Sequence, residues 1–204
     1  MNFREFQENV KKMPLFSSNV ADIFSASPKV IRNQMTRWKK QGLLVELKRG
    51  LYVLGKSERQ TILSKEVAAA NIYQPSYISL ESAMSFYKMI PERVTAVTSV
   101  TAKKTKVFHN QEGAFIYRNL KTALYFGFIS KKDEYGYPYF IAEPEKAFLD
   151  YLYLNLGEIG PNDKDFLAGS LRLQNRSILN RKKLFSYAKQ FNIKKLDRIL
   201  EQIK

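Results

Sequence analysis

The chain of 204 residues carries 34 lysines and arginines against 19 acidic residues, a formal charge of +15, with 45% hydrophobic and 13% aromatic residues. That much apolar material excludes a disordered polypeptide, and an excess of positive charge that self-repels unless screened makes nucleic acid the first partner to test. There is no cysteine to form a disulfide or thiolate metal site, no apolar run near the roughly 18 residues that span a bilayer, and a polar start, MNFREFQENV; the expectation is a cytoplasmic protein without a membrane partner.

Phe3, Phe6 and Val10 recur at helical spacing and predict a first helix that ends at Pro14. Ser17 or Ser18 offers an N-cap for a short second helix containing Val20, Ile23 and Phe24. After a Ser25-Ala26 turn, Ser27 and Pro28 form an N-cap followed by proline at the first helical position, where its missing donor costs nothing. Ile31, Met35 and Trp38 give this third helix one apolar stripe, and Gly42 stands where a left-handed residue ends it. Its other face carries Lys29, Arg32, Asn33, Thr36, Arg37 and Lys40, and no acidic residue lies between Ala26 and Val45. Arginine can pair with guanine and asparagine with adenine, while lysine and threonine suit phosphates. Leu43 to Leu47 and Leu51 to Leu54 read as a hairpin whose tip, Lys48-Arg49-Gly50, can reach the sugar-phosphate backbone. The expected DNA-binding residues are therefore Ser27, Lys29, Arg32, Asn33, Thr36, Arg37, Lys40, Lys48 and Arg49. Gly50 to Ser57 matches the phosphate-loop pattern literally, but Leu-Tyr-Val-Leu inside it is an apolar strand with no room to cradle phosphate.

Ser57 to Ala70 reads as a connecting helix, and Ser79 as a cap for a helix from Leu80 to Tyr87. Strand-like runs follow at Thr95 to Val100, Lys106 to Phe108, Ala114 to Tyr117, Ala123 to Ile129 and Tyr139 to Ile141, which imply a largely antiparallel sheet. Glu143-Pro144-Glu145 starts an amphipathic helix, its carboxylates favoured at the helix start. Further helices are expected at Asp163 to Leu173, Arg181 to Phe191 and Lys194 to Ile203. The predicted fold is α+β: an N-terminal winged helix-turn-helix over residues 1–56, then a mixed α/β domain over residues 57–204 with a mainly antiparallel sheet and C-terminal helices, residues 57–75 forming the connecting helix.

Nothing in the pattern points to catalysis. His109 is the one histidine and has no cysteine or second histidine beside it, Asp150 has no assigned role, and no paired acidic spacing suggests a metal, so neither metal nor cofactor is expected. Two other readings compete with DNA binding: a magnesium-dependent nucleic-acid enzyme with Asp150 and His109 as its nearest candidates, and a protein-docking adaptor. Lys103, Lys104 and Lys106, and Arg181, Lys182 and Lys183, form two further basic groups that could serve as a secondary DNA or antitoxin surface.

Three stretches, Tyr77-Ile78-Ser79-Leu80-Glu81-Ser82-Ala83, Thr98-Ser99-Val100-Thr101 with Lys103-Lys104-Thr105, and Ile141-Ala142-Glu143-Pro144-Glu145-Lys146-Ala147, resemble the AbiEi-type antitoxins. The resemblance runs from about Phe3 through the final helices. It implies a type IV toxin-antitoxin system of the abortive-infection, phage-defence kind, whose toxin is a nucleotidyltransferase. It also implies autorepression through inverted repeats in the operon's promoter, by a protein that is a monomer in solution and binds double-stranded operator DNA in more than one copy. Lys29, Arg32, Asn33, Arg37, Lys48 and Arg49 match that family's DNA-reading surface. Direct contact with the toxin is not implied.

Overall fold

In a computed structural model that describes residues 1–24, 27–160 and 166–201, the chain is mixed α/β, with an antiparallel sheet of three strands and a mixed sheet of six. The first module runs α1 (Phe3–Val10), β1 (Phe16–Ser17), a 3-10 turn (Ser18–Ile23), α2 (Pro28–Lys40), β2 (Leu44–Lys48) and β3 (Leu51–Leu54). Asn2 caps α1 by accepting from the Glu5 amide at 2.9 Å, and Ser17 accepts from the Asn19 amide. Ser27 occupies the N-cap position of α2 as expected, but its side chain makes no cap hydrogen bond. The Ser25-Ala26 turn lies outside the described residues.

Phe6, Ile31, Met35 and Trp38 are buried together; Phe6 and Trp38 rings lie 4.9 Å apart and Phe6 and Phe16 meet edge-on at 5.6 Å. Gly42, at φ +76°, ends α2 as a left-handed residue, and Gly50, at φ +81°, turns the hairpin. The strand order is β1-β3-β2, all antiparallel. The two-residue β1 has too few residues to show a period and was not expected from sequence. The would-be phosphate loop is strand β3, as its apolar residues require.

This small sheet serves two cores. Leu44 and Leu54 pack with α1 and α2, whereas Val45, Leu47, Leu51 and Val53 belong to the core of the second module. Strand alternation makes this possible, since successive side chains point to opposite faces.

The second module runs α3 (Lys65–Ile72), β4 (Ser76–Ile78), α4 (Leu80–Phe86), β5 (Val97–Thr101), β6 (Lys106–Asn110), β7 (Gly113–Asn119), β8 (Phe128–Lys132), β9 (Pro138–Ala142), α5 (Pro144–Leu154), α6 (Arg181–Phe191) and α7 (Lys194–Glu201). Its sheet order is β6-β7-β5-β4-β9-β8. The pairs β5·β7 and β4·β9 are parallel, so the sheet is mixed rather than largely antiparallel. The connecting helix is shorter than its sequence suggests: it starts at Lys65, where Ser64 accepts from the Val67 amide, and residues 57–64 are not helical. Ala123 and Leu124 sit in a 3-10 turn before β8 rather than in a strand. Of the helix expected from Asp163 to Leu173, residues 161–165 lie outside the described residues, and Phe166–Ser170 form a single wide turn. The end of the last expected helix, Gln202 and Ile203, also lies outside them. Among the described residues no helix is long and apolar enough to cross a membrane.

Candidate nucleic-acid interface

Helix α2 turns Ile31, Met35 and Trp38 inward, and 3.6-residue periodicity leaves Lys29, Arg32, Asn33, Thr36, Arg37 and Lys40 exposed on the other side. Two of these have local partners: Arg32 Nη2 donates to Asp22 Oδ1 at 3.0 Å, and the Thr36 hydroxyl donates to the Arg32 carbonyl at 3.1 Å. Among the described residues, the side chains of Lys29, Asn33, Arg37 and Lys40 make no hydrogen bond or ion pair, so their donors stay available to a ligand. Lys39 is engaged instead with Glu46 at 2.6 Å, and the Tyr52 hydroxyl donates to the same carboxylate at 3.1 Å. Burial alone would push the Glu46 carboxyl up, but Lys39 and Tyr52 together hold it below its ordinary value. Ser27 is exposed at the helix start.

The hairpin tip is anchored as well as exposed. Arg49 faces solvent, while half-buried Lys48 donates to the Asn71 carbonyl at the end of α3 at 3.2 Å. Asn110 Nδ2 at the end of β6 donates to the Leu47 carbonyl at 3.0 Å, and the Ser18 amide donates to the Gly50 carbonyl at 2.9 Å. Elsewhere on the same boundary, Arg59 and Glu112 form a nearly buried ion pair at 2.5 Å. The hairpin is therefore held by the second module rather than projecting freely.

That docking brings together basic residues far apart in sequence. Lys103 and Lys106, from the β5-β6 connection and β6, act on Lys48: burial pushes the Lys48 ammonium down, and its two lysine neighbours push it further. Both also lie over the Tyr73 ring, at 5.5 and 5.8 Å, and Lys106 lies 5.0 Å from the Phe108 ring. Lys103, Lys104 and Lys106 are exposed. Neither Tyr73 nor Asn110 has a local sequence signal, because Tyr73 meets the lysines and Asn110 meets the hairpin only through the tertiary fold.

The other basic group sits on α6, which packs against α5. Arg181 and Lys182 are exposed, but Lys183 pairs with Glu143 at 2.5 Å, and the Tyr187 hydroxyl donates to Glu143 at 2.6 Å. Glu145 accepts from the Asn180 amide at 2.8 Å. The two glutamates stand at the start of α5 as expected, Glu143 at the N-cap position and Glu145 in the first turn, and they also tie α6 to α5; Glu143 makes no side-chain cap bond.

Asp150 is wholly buried. It accepts from the Ser79 hydroxyl at 2.8 Å, from the Tyr77 hydroxyl at 2.9 Å and from Lys146, which is equally buried beneath Phe126 and Phe191. Burial raises the Asp150 carboxyl and lowers the Lys146 ammonium, with each partner pulling the other back. His109 is on β6 and exposed, so the structure does not assemble it with Asp150. Among the described residues no group of three or more His, Asp or Glu side chains could hold a metal ion. No family model matches the chain, and no curated protein is significantly similar to it.

Proposed function

We propose that the chain is a DNA-binding autorepressor whose first module is a winged helix-turn-helix, with α2 reading the major groove and the β2-β3 hairpin serving as its wing. The observation that carries this reading is the outward face of α2, cationic, free of acids and beside a β1-β3-β2 sheet. Arg37 and Asn33 contact base edges, Lys29 and Lys40 contact phosphates, and Arg32 joins them after releasing Asp22. The cluster of Lys48, Lys103 and Lys106 extends the phosphate-contacting surface onto the second module. Lys103 and Lys106 repel the half-buried Lys48 ammonium, and a row of phosphates relieves that repulsion.

The antitoxin role, against a nucleotidyltransferase toxin, rests on the resemblance to the AbiEi-type antitoxins. In this reading the protein works by binding and carries no catalytic centre or cofactor. The three resembling stretches fall on β4-α4, β5 and β9-α5, where Tyr77, Ser79 and Lys146 supply three members of the buried Asp150 network. They support a shared architecture of the second module more than a shared surface.

The test is a footprint of the purified chain on the DNA upstream of its own gene. Protection of paired, inverted sequences supports the assignment; uniform coverage that competitor DNA removes would leave only non-specific affinity.

A further inference from the structure

Val30 departs from the pattern of α2. It is 49% exposed, and it belongs neither to the buried stripe of Ile31, Met35 and Trp38 nor to the half-buried apolar residues packed against that core. Apart from Pro28, which starts the helix, every other exposed position of α2 carries a charge or a hydrogen-bonding side chain. A β-branched apolar residue is a weak helix former and gains nothing from facing water, so neither the helix nor the core accounts for valine at this position.

Helical periodicity gives Val30 its neighbours. The residues three and seven positions further on share its side of the helix, and these are Asn33 and Arg37, the two side chains assigned to base edges. At a rise of about 1.5 Å per residue, Asn33 stands about 4.5 Å beyond Val30 along the axis, close to the ~3.4 Å spacing of stacked bases, so the two face the same or adjacent base pairs. Val30 is the third residue of α2, and the N-terminal residues of a reading helix are those that reach base edges. Arginine and asparagine recognise purines through donors and acceptors, whereas the 5-methyl group of thymine offers neither and is covered with gain only by an apolar side chain.

We infer that Val30 is a specificity-determining residue, packing against the 5-methyl group of a thymine in the major groove beside the bases read by Asn33 and Arg37. This rests on the assignment of α2 as the reading helix. The contact takes the valine methyls and the thymine methyl out of water together, and it neutralises no phosphate. Val30 therefore distinguishes thymine from uracil at its base pair and leaves the salt dependence of binding untouched.

The test titrates the full chain, unmodified or carrying Val30→Ser or Val30→Ile, against promoter duplexes in which each thymine in turn is replaced by deoxyuridine, which removes the methyl group and keeps the hydrogen-bonding pattern. Expected for the unmodified chain is a position where the replacement weakens binding about three- to fivefold, the size set by uncovering one methyl group. With Val30→Ser, native by circular dichroism, the thymine and deoxyuridine duplexes should bind alike at that position, whereas Val30→Ile should keep the difference. The slope of log affinity against log salt should be the same for all three chains. With promoter preference intact in the unmodified chain, the inference alone is overturned if deoxyuridine has no effect at any position, if its effect persists in folded Val30→Ser, or if the salt slope falls in that variant. Failure of the unmodified chain to prefer its promoter over a scrambled duplex would overturn the assignment of α2, and the inference with it.

Discussion

Arg32 and Asp22 form an ion pair at 3.0 Å that ties α2 to the 3-10 turn before it, both side chains being about half exposed. The pair pre-positions the guanidinium but offsets its charge, so a phosphate or a guanine must compete with Asp22 for it. Asp22→Asn should therefore strengthen DNA binding several-fold at low salt, with the gain shrinking as salt rises. Weaker binding by this variant would mean that the pair organises the helix more than it withholds the arginine. Fluorescence anisotropy on labelled promoter DNA measures it.

Arg37 and Asn33 have no such competitor among the described residues. Each alanine substitution should cost about 1–3 kcal/mol of operator affinity and relax the preference at the base it reads. A selection from randomised operators, compared with the unmodified chain, shows whether preference is lost at particular positions or merely weakened throughout.

Lys48, Lys103 and Lys106 should behave differently. Replacing any one by alanine should lower affinity evenly across sequences and reduce the slope of log affinity against log salt by roughly 0.9 for each phosphate no longer neutralised. Unchanged slopes for Lys103→Ala and Lys106→Ala would confine the interface to the first module.

The Lys146–Asp150 pair bears on stability rather than on DNA. Lys146→Met leaves a buried carboxylate without its cation and should cost about 3–5 kcal/mol in urea unfolding. Adding Asp150→Leu to the same chain should recover part of the loss, because it removes the uncompensated charge. A double variant less stable than the single one would show that Ser79 and Tyr77 depend on Asp150 more than Lys146 does.

Glu143 predicts an acid limb. Burial pushes its carboxyl up, but the Lys183 ammonium and the Tyr187 hydroxyl hold it below the ordinary value near 4.5. A carboxyl depressed in the folded state adds stability that is complete above 4.5 and lost as pH falls through the lower, folded value. Unfolding of the unmodified chain should therefore lose stability over that range faster than unfolding of Glu143→Gln, which has no carboxyl there to titrate. Parallel acid limbs would contradict the role of Glu143 in holding α6.

Local chemistry made α2 readable from sequence: Ser27-Pro28, the Ile31-Met35-Trp38 stripe and Gly42 all state a start, a face and a stop. The same logic failed where a residue acts at a distance. Glu143 and Glu145 stand at the helix start as the sequence suggests, but their bonds to Lys183, Tyr187 and Asn180, 35 to 44 residues away, have no local signal. Lys146 and Asp150 have the spacing of a surface ion pair, and only the packing of β4 and α6 around α5 shows them to be buried. Ile62 and Leu63 suggested a helix that begins only after them, because Ser64 caps at Lys65. The basic groups were visible, but that Lys48 meets Lys103 and Lys106 depends on the hairpin docking against β6, which no local pattern encodes.

The most direct measurement is the affinity of the full chain for its own promoter against a scrambled duplex of equal length, with and without Arg32→Ala plus Arg37→Ala, across a salt series. Expected are a strong preference for the promoter, a steep salt dependence, and a double variant that loses most of the preference while remaining folded. A folded double variant that discriminates as well as the unmodified chain would contradict the assignment of α2 as the reading helix.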